Sequence, residues 1–323
     1  MNATTLRTAS FGTTGMQITR IGFGAWAIGG GGWEFGWGPQ QDADSEKAIE
    51  HALDLGVNWI DTAAAYGFGH SEEVVGRALA AVGAEHRPYV FTKCSLLEGP
   101  DRRVVHSLKR DSVLREAEAS VKRLGGEPID LYQIHWPNPL ADIEEGWSAL
   151  AELKEQGLVR HIGVSNFNAD ELNRIRSIAP VETLQPPYSL VERSVEQEIL
   201  PYAEAAGMGV IVYSPMGSGL LTGAMTRERI AGLAEDDWRK HDERFNEPEL
   251  SRHLALVGRL ESVAARHGTG PGAVAVAWTL RNPAVTAAIV GFRRADQVDP
   301  LIAAAGLELT PADIAEINTG SEV

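Results

Sequence analysis

Eight short apolar runs, with helix-length amphipathic stretches between them, constrain this chain more than any other feature. The runs lie at 19–24, 57–60, 89–93, 131–135, 161–165, 181–185, 210–214 and 286–291. Helix-period segments lie at 45–55, 71–82, 111–124, 143–155, 169–178, 195–206 and 254–267. A strand buried on both faces reads as a continuous apolar run, and strands alternating with helices pair in parallel through crossovers. Eight repeats predict closure into a (β/α)8 TIM barrel, which typically takes about 250 residues. The chain has 323, so residues 1–323 read as one barrel domain with insertions. Residues 6–19, with Gly12 and Gly15, suit a β-hairpin ahead of the first barrel strand. Three connections exceed what a simple turn needs: 29–42, rich in Gly and Trp, 96–110, and 217–248. Long loops on a barrel often carry function. Ser71 reads as a helix N-cap, with Glu72 and Glu73 in the first turn.

Four polar residues stand at the ends of these runs. Asp61 follows the second, with Tyr66 five residues on. Lys93 ends the third and His135 the fourth. Catalytic groups of parallel α/β proteins sit at the carboxyl ends of strands. A phenol has a reference pKa of about 10, so it donates a proton at neutral pH but seldom acts as a base. An ammonium beside it is expected to pull that pKa toward working pH. The reading is therefore Tyr66 as general acid–base, Lys93 as its tuner, Asp61 as the group orienting the amine, and His135 as a hydrogen-bond partner polarising the substrate oxygen. Taken singly, each has a blander explanation: a packed tyrosine, a helix-capping aspartate, a core histidine. Four together at successive strand ends favour chemistry. A metal site of Asp61, His135 and His70 is the chemical rival, but it lacks paired-histidine spacing and a second carboxylate at a strand end, so no metal is expected. Cys94 follows Lys93 and so faces the other way in a strand. It reads as a small buried hydrophobe.

At this point the chain resembles the aldo-keto reductases, from about Ser10 to its last helix. The matching segments are Ile21-Gly-Phe-Gly-Ala-Trp26, Asp61-Thr-Ala…Tyr66-Gly67, Thr92-Lys93, Leu131…His135-Trp-Pro137, Gly163-Val-Ser-Asn-Phe167, Gln185…Tyr188, Tyr213-Ser-Pro215 and Gly291-Phe-Arg293. Each alone is weak; eight in the family's order are specific. The resemblance implies that the hairpin plugs the barrel's bottom and that a nicotinamide cofactor lies extended across its mouth. No Gly-x-Gly-x-x-Gly joins a strand to a helix, so a Rossmann fingerprint is absent. Ser165, Asn166 and Gln185 offer the hydroxyl and amide groups that satisfy a carboxamide. Tyr213 can stack on a flat ring, and Trp26 adjoins it in the cofactor set. Ser214, Pro215, Gly217, Ser218 and Gly219 let backbone amides approach a pyrophosphate. Gly291 and Arg293 follow the last strand, and a guanidinium pairs bidentately with phosphate. The resemblance implies the 2′-phosphate there, hence NADP(H), with NADPH preferred over NADH, and places Gln297 at the adenine end. Pro300 and Leu301 stand where many members carry an acidic residue and an Asn at the adenine.

Trp33, Trp37 and Trp136, with Trp26, supply aromatic walls for a carbonyl substrate. The implied activity is reversible reduction of an aldehyde or ketone to an alcohol. The rival class is a non-catalytic NADP(H)-sensing regulatory subunit of the same fold. Net charge is −15, which disfavours nucleic acid and anionic membranes as partners. One cysteine allows no intrachain disulfide. The polar N-terminal stretch 1–10 and the absence of a bilayer-length apolar segment point to a cytoplasmic monomer or homo-oligomer.

Overall fold

The computed structural model describes residues 6–83 and 86–319. Residues 1–5 of the polar N-terminal stretch lie outside them. The barrel is closed and all-parallel, in the order β10, β11, β12, β3, β4, β5, β8, β9. These strands are β3 (Ile21–Gly24), β4 (Trp59–Asp61), β5 (Tyr89–Cys94), β8 (Ile129–Ile134), β9 (Val159–Ser165), β10 (Thr183–Gln185), β11 (Gly209–Val212) and β12 (Ala287–Gly291). β12 pairs with β3 through Ala288–Ile21 to Gly291–Gly24, which seals the ring. The eight expected strands are all present, each end within two residues of the expected run. Crossover helices α1 (Asp42–Asp54), α2 (His70–Ala81), α3 (Arg110–Arg123), α4 (Ile143–Glu155), α5 (Ala169–Ile175) and α6 (Ile199–Ala205) follow the expected segments.

A hairpin of β1 (Thr8–Ser10) and β2 (Gln17–Thr19) precedes the barrel. It inserts Phe11, Met16 and Ile18 among Trp59, Phe91, Leu131, Ile211 and Ile289. Phe11 stacks on Phe91 at 5.7 Å. This plug fills the barrel's lower half with fully buried side chains. Gly22 is required beside it, because a Cβ there would fall 2.1 Å from the Trp59 ring. With the bottom sealed, polar groups that face inward near the strands' carboxyl ends form a floor open only upward.

Three local features depart from the sequence reading. Ser71 is not an N-cap: Gly69 holds that position at φ 102°. The Ser71 hydroxyl is buried, hydrogen-bonding Thr62 Oγ1 at 2.9 Å and donating to Ala25 O at 2.9 Å. Glu72, with Glu73, does lie in the first turn of α2. It is buried, accepting from Thr92 Oγ1 and from Arg123 Nε, each at 2.6 Å. The helix α9 (Pro271–Leu280) was missed; it lies between α8 (Glu249–His267) and β12. Every residue of α9 after Pro271 is buried, so its sequence shows a plain apolar run without helical periodicity. The 96–110 connection contains a second hairpin, β6 (Leu96–Glu98) with β7 (Val104–His106). Strands of three residues leave too little alternation to read.

Candidate active site

The four strand-end residues converge at one mouth of the barrel. Asp61 closes β4, Lys93 sits at the fifth position of β5, and His135 follows β8 directly. Tyr66 lies on the β4–α2 loop. Lys93 Nζ donates to Asp61 Oδ1 at 2.5 Å, to Thr62 O at 2.9 Å and to Tyr66 Oη at 3.4 Å. The amine is 1% exposed and its three donors are all used. Asp61 Oδ2 accepts from Gln185 Nε2 at 2.8 Å and from Gln133 Nε2 at 3.5 Å. Gln133 was missed by the sequence reading: it is an inward-facing amide inside the apolar run 131–135, with no motif around it. The His135 ring stands edge-on to Tyr66 at 5.7 Å.

Electrostatics here differ from expectation in one respect. Burial, with Asp61 adding to it, pushes the Tyr66 phenol well above its ordinary pKa. Loss of hydration outweighs the pull of a single ammonium that Asp61 already neutralises. Burial likewise lowers Lys93, although Asp61 opposes the shift. Burial and then Lys93 hold His135 well below the usual imidazole range. The site at neutral pH is a protonated phenol beside a neutral imidazole. The His135 Nδ1 is buried without a hydrogen-bond partner among the described residues. An orphaned lone pair costs less than an orphaned N–H, so the proton belongs on Nε2. Cys94 points away, as expected, into the outer core, where burial raises its thiol. His70 lies on α2 with its ring on Asp42, 2.9 Å away.

The residues assigned to the cofactor line the same mouth. Asn166 Nδ2 donates to His135 O at 2.9 Å and to Ser165 Oγ at 3.0 Å, and its Oδ1 accepts from Tyr213 Oη at 2.8 Å. Ser165 Oγ donates to Gln185 O at 2.8 Å. Asn166, Ser214 and Ser218 hold left-handed backbone, with φ of 65°, 54° and 57°, as do Gly217 and Gly219. For a serine that conformation costs roughly 1–2 kcal/mol, and such residues concentrate at ligand sites. In the turn from Ser214 to Gly219, the amides of Ser218 and Gly219 meet no acceptor among the described residues. Pro215 has no amide hydrogen to offer there, so it shapes the turn only.

Arg293 and Gln297 are both engaged within the protein. Arg293 Nε donates to Gln40 Oε1 at 2.7 Å, Nη1 to Trp37 O at 3.2 Å, and Nη2 to Pro39 O. Gln297 Oε1 accepts from the amides of Arg293 and Arg294 at 2.8 and 3.2 Å, so it braces this loop. Arg293 thus fastens the 29–42 loop to the end of β12. A further tie runs to the 217–248 segment. Asp236 accepts from Gly32 N at 2.8 Å, and Trp238 N donates to Gly36 O at 3.1 Å. Trp238, missed from sequence, stacks on Trp26 at 5.2 Å with the rings 13° apart. Trp37 meets both edge-on. Trp26 in turn lies 6.2 Å from Tyr66. Trp33 is 6% exposed and packs with Tyr66, Phe68 and Val104. Trp136 is 42% exposed on the rim.

A sealed parallel barrel with an acid, a phenol, an amine and an imidazole at its carboxyl mouth is the architecture of a barrel oxidoreductase that reduces carbonyls. Residues 20–322 match the model of the aldo/keto reductase family. The chain is 40% identical to "Aldo-keto reductase YhdN" of Bacillus subtilis (strain 168), over 96% of this chain and 92% of that protein. It is 33% identical to "NADH-specific methylglyoxal reductase" of Escherichia coli (strain K12), over 94% of each. Among solved structures, the glycerol dehydrogenase AKR11B4 from Gluconobacter oxydans superposes with a TM-score of 0.85 at 37% identity, covering 99% of this chain and 95% of that one. The chain belongs to the aldo/keto reductase family.

Proposed function

We propose that the chain reduces a small aldehyde or ketone to the alcohol, reversibly, with NADPH preferred as reductant and Tyr66 as proton donor. The observation that carries this reading is Lys93 Nζ, held between Asp61 and the Tyr66 hydroxyl in a buried mouth. A bound nicotinamide supplies the hydride that goes to the carbonyl carbon. Tyr66 gives its phenolic proton to the carbonyl oxygen and is left as phenolate. The Lys93 ammonium stabilises that phenolate, and Asp61 keeps the amine charged in a site where burial favours its neutral form. His135, through Nε2–H, hydrogen-bonds the same oxygen and polarises it.

The site fits a nicotinamide dinucleotide on this chain's own geometry. Gln185 uses its amide nitrogen on Asp61, which leaves Oε1 to accept from a carboxamide. The unpartnered amides of Ser218 and Gly219 suit a pyrophosphate. Gln185→Ala and Asn166→Ala are each expected to weaken cofactor binding by about 1–3 kcal/mol, the cost of an unpaired buried amide. Fluorescence titration that shows unchanged affinity in both would move the nicotinamide elsewhere.

Cofactor choice rests on Arg293, and the E. coli relative is named NADH-specific. Arg293→Ala is expected to raise the KM for NADPH more than that for NADH, and more at low ionic strength. Equal losses for both, with a lower melting temperature, would limit Arg293 to fastening the 29–42 loop. The substrate class we favour carries an oxygen beside the reacting carbon, as do the compounds for which two relatives are named, methylglyoxal and glycerol. Steady oxidation of NADPH or NADH with a panel of aldehydes tests the whole reading. Tight cofactor binding without turnover of any of them would instead favour a sensing subunit.

A further inference from the structure

The β6–β7 hairpin brings a second imidazole to the mouth, and nothing above gives it a role. The segment 94–95 links the two. Cys94 O accepts from His135 N at 3.1 Å, and Ser95 O accepts from Ser107 N at 3.1 Å. His135 and His106 therefore flank the same short piece of backbone. β7 alternates its faces: Val105 is exposed, while Val104 and His106 share the partly buried side. Val104 on that side packs with Trp33 and Tyr66, so His106 faces the mouth as well. The hairpin is pinned there by the 29–42 loop. Glu34 Oε2 accepts from Val104 N at 2.8 Å, and Arg102 Nε donates to Gly32 O at 2.7 Å.

The His106 ring itself is not spent on the fold. Its Nδ1 is buried without a hydrogen-bond partner among the described residues, although the residue as a whole is only partly buried. That leaves Nε2 as the nitrogen a ligand can reach. As at His135, an orphaned Nδ1 places the proton on Nε2, which makes it a donor. We infer that His106 is a specificity-determining residue, whose Nε2–H hydrogen-bonds a hydroxyl or second carbonyl oxygen on the carbon next to the one reduced. The inference rests on the reductase reading above and names how its substrate is chosen. Two neighbouring imidazoles with one donor each match two oxygens on adjacent carbons. Burial lowers the His106 pKa, with Glu34 opposing, so the group is neutral at neutral pH. A neutral donor selects a neutral oxygen over a carboxylate.

The test compares glycolaldehyde with propanal, which replaces the hydroxyl by a methyl group of similar size. A site built around a hydrogen bond rejects the partner that cannot make it. In His106→Leu, the ratio of kcat/KM for glycolaldehyde to that for propanal is expected to fall at least about tenfold. His106→Gln, which restores an N–H donor, should recover part of the ratio. Melting temperatures of both variants, and their KM for NADPH, separate lost selectivity from lost folding. A ratio within about twofold of wild type in His106→Leu would overturn the inference while leaving the reductase reading intact. Wild-type protein that turns over neither aldehyde with either cofactor would overturn both.

Discussion

Tyr66→Phe lowers carbonyl reduction by roughly 10²–10⁴-fold, the usual contribution of a positioned general acid. The ring keeps its contacts with Trp26, Trp33 and His135, so cofactor affinity and melting temperature should change little. The pH profile of the wild type sharpens the expectation. Tyr66 is held well above its ordinary pKa and His135 well below its own. Neither changes charge between about pH 6 and pH 9, if reference values of about 6.5 and 10 are moved in those directions. Reduction should therefore run flat across that range. Alcohol oxidation needs the phenolate as base and should climb with pH throughout. Near-wild-type reduction of several aldehydes by Tyr66→Phe would sink the proposed mechanism.

Lys93→Met combines a catalytic loss with a structural one. It removes the cation beside Tyr66 and strands the Asp61 carboxylate inside the barrel, where, among the described residues, Gln185 and Gln133 still donate to it. Breaking a buried ion pair from one side costs about 3–5 kcal/mol. Chemical denaturation should show a loss of that order, together with loss of turnover. The double variant Asp61→Asn, Lys93→Met removes both charges and should regain much of the stability but none of the activity. Asp61→Asn alone behaves differently. Burial already lowers the Lys93 pKa, and without Asp61 it falls further. A base whose folded pKa is depressed binds fewer protons folded than unfolded, so its penalty is full at low pH and fades as pH rises. Asp61→Asn stability should thus climb with pH from the depressed folded pKa of Lys93 up to the unfolded lysine value of about 10.4. A double variant no more stable than Lys93→Met would show that the pair is not what holds this mouth together.

The barrel was legible because its signals are local. Each strand is an apolar run bounded by polar punctuation, and the chain repeats that unit eight times. Asp61, Lys93 and His135 were legible for the same reason, since each ends its own run. Gln133 was not, because an inward amide inside an apolar run looks like any polar interruption until its bond to Asp61 is seen. Glu72 is a first-turn acid by sequence, and only the fold shows Thr92 and Arg123 closing over it. Trp238 and Trp26 are distant in sequence yet stack face to face, and no periodicity links them. The direction of the Tyr66 shift was misjudged because a sequence displays a neighbouring charge but not the dehydration that outweighs it. His106 escaped notice because β7 is too short to show which of its faces looks inward.

The 29–42 loop carries Trp33 beside Tyr66 and, a few residues on, Trp37, Pro39 and Gln40 on Arg293. One continuous stretch of backbone thus forms part of the wall around the reacting group and also occupies the cation at the far rim. It cannot shift at one end without being felt at the other. An anion that drew Arg293 away from Gln40 would release the anchor of this loop, and pressure on Trp33 would strain that anchor in return. By linkage the two effects are equal in free energy. On the proposed placement of the cofactor's distal phosphate at Arg293, binding there would be coupled to the wall beside Tyr66 through about ten residues of glycine- and tryptophan-rich chain.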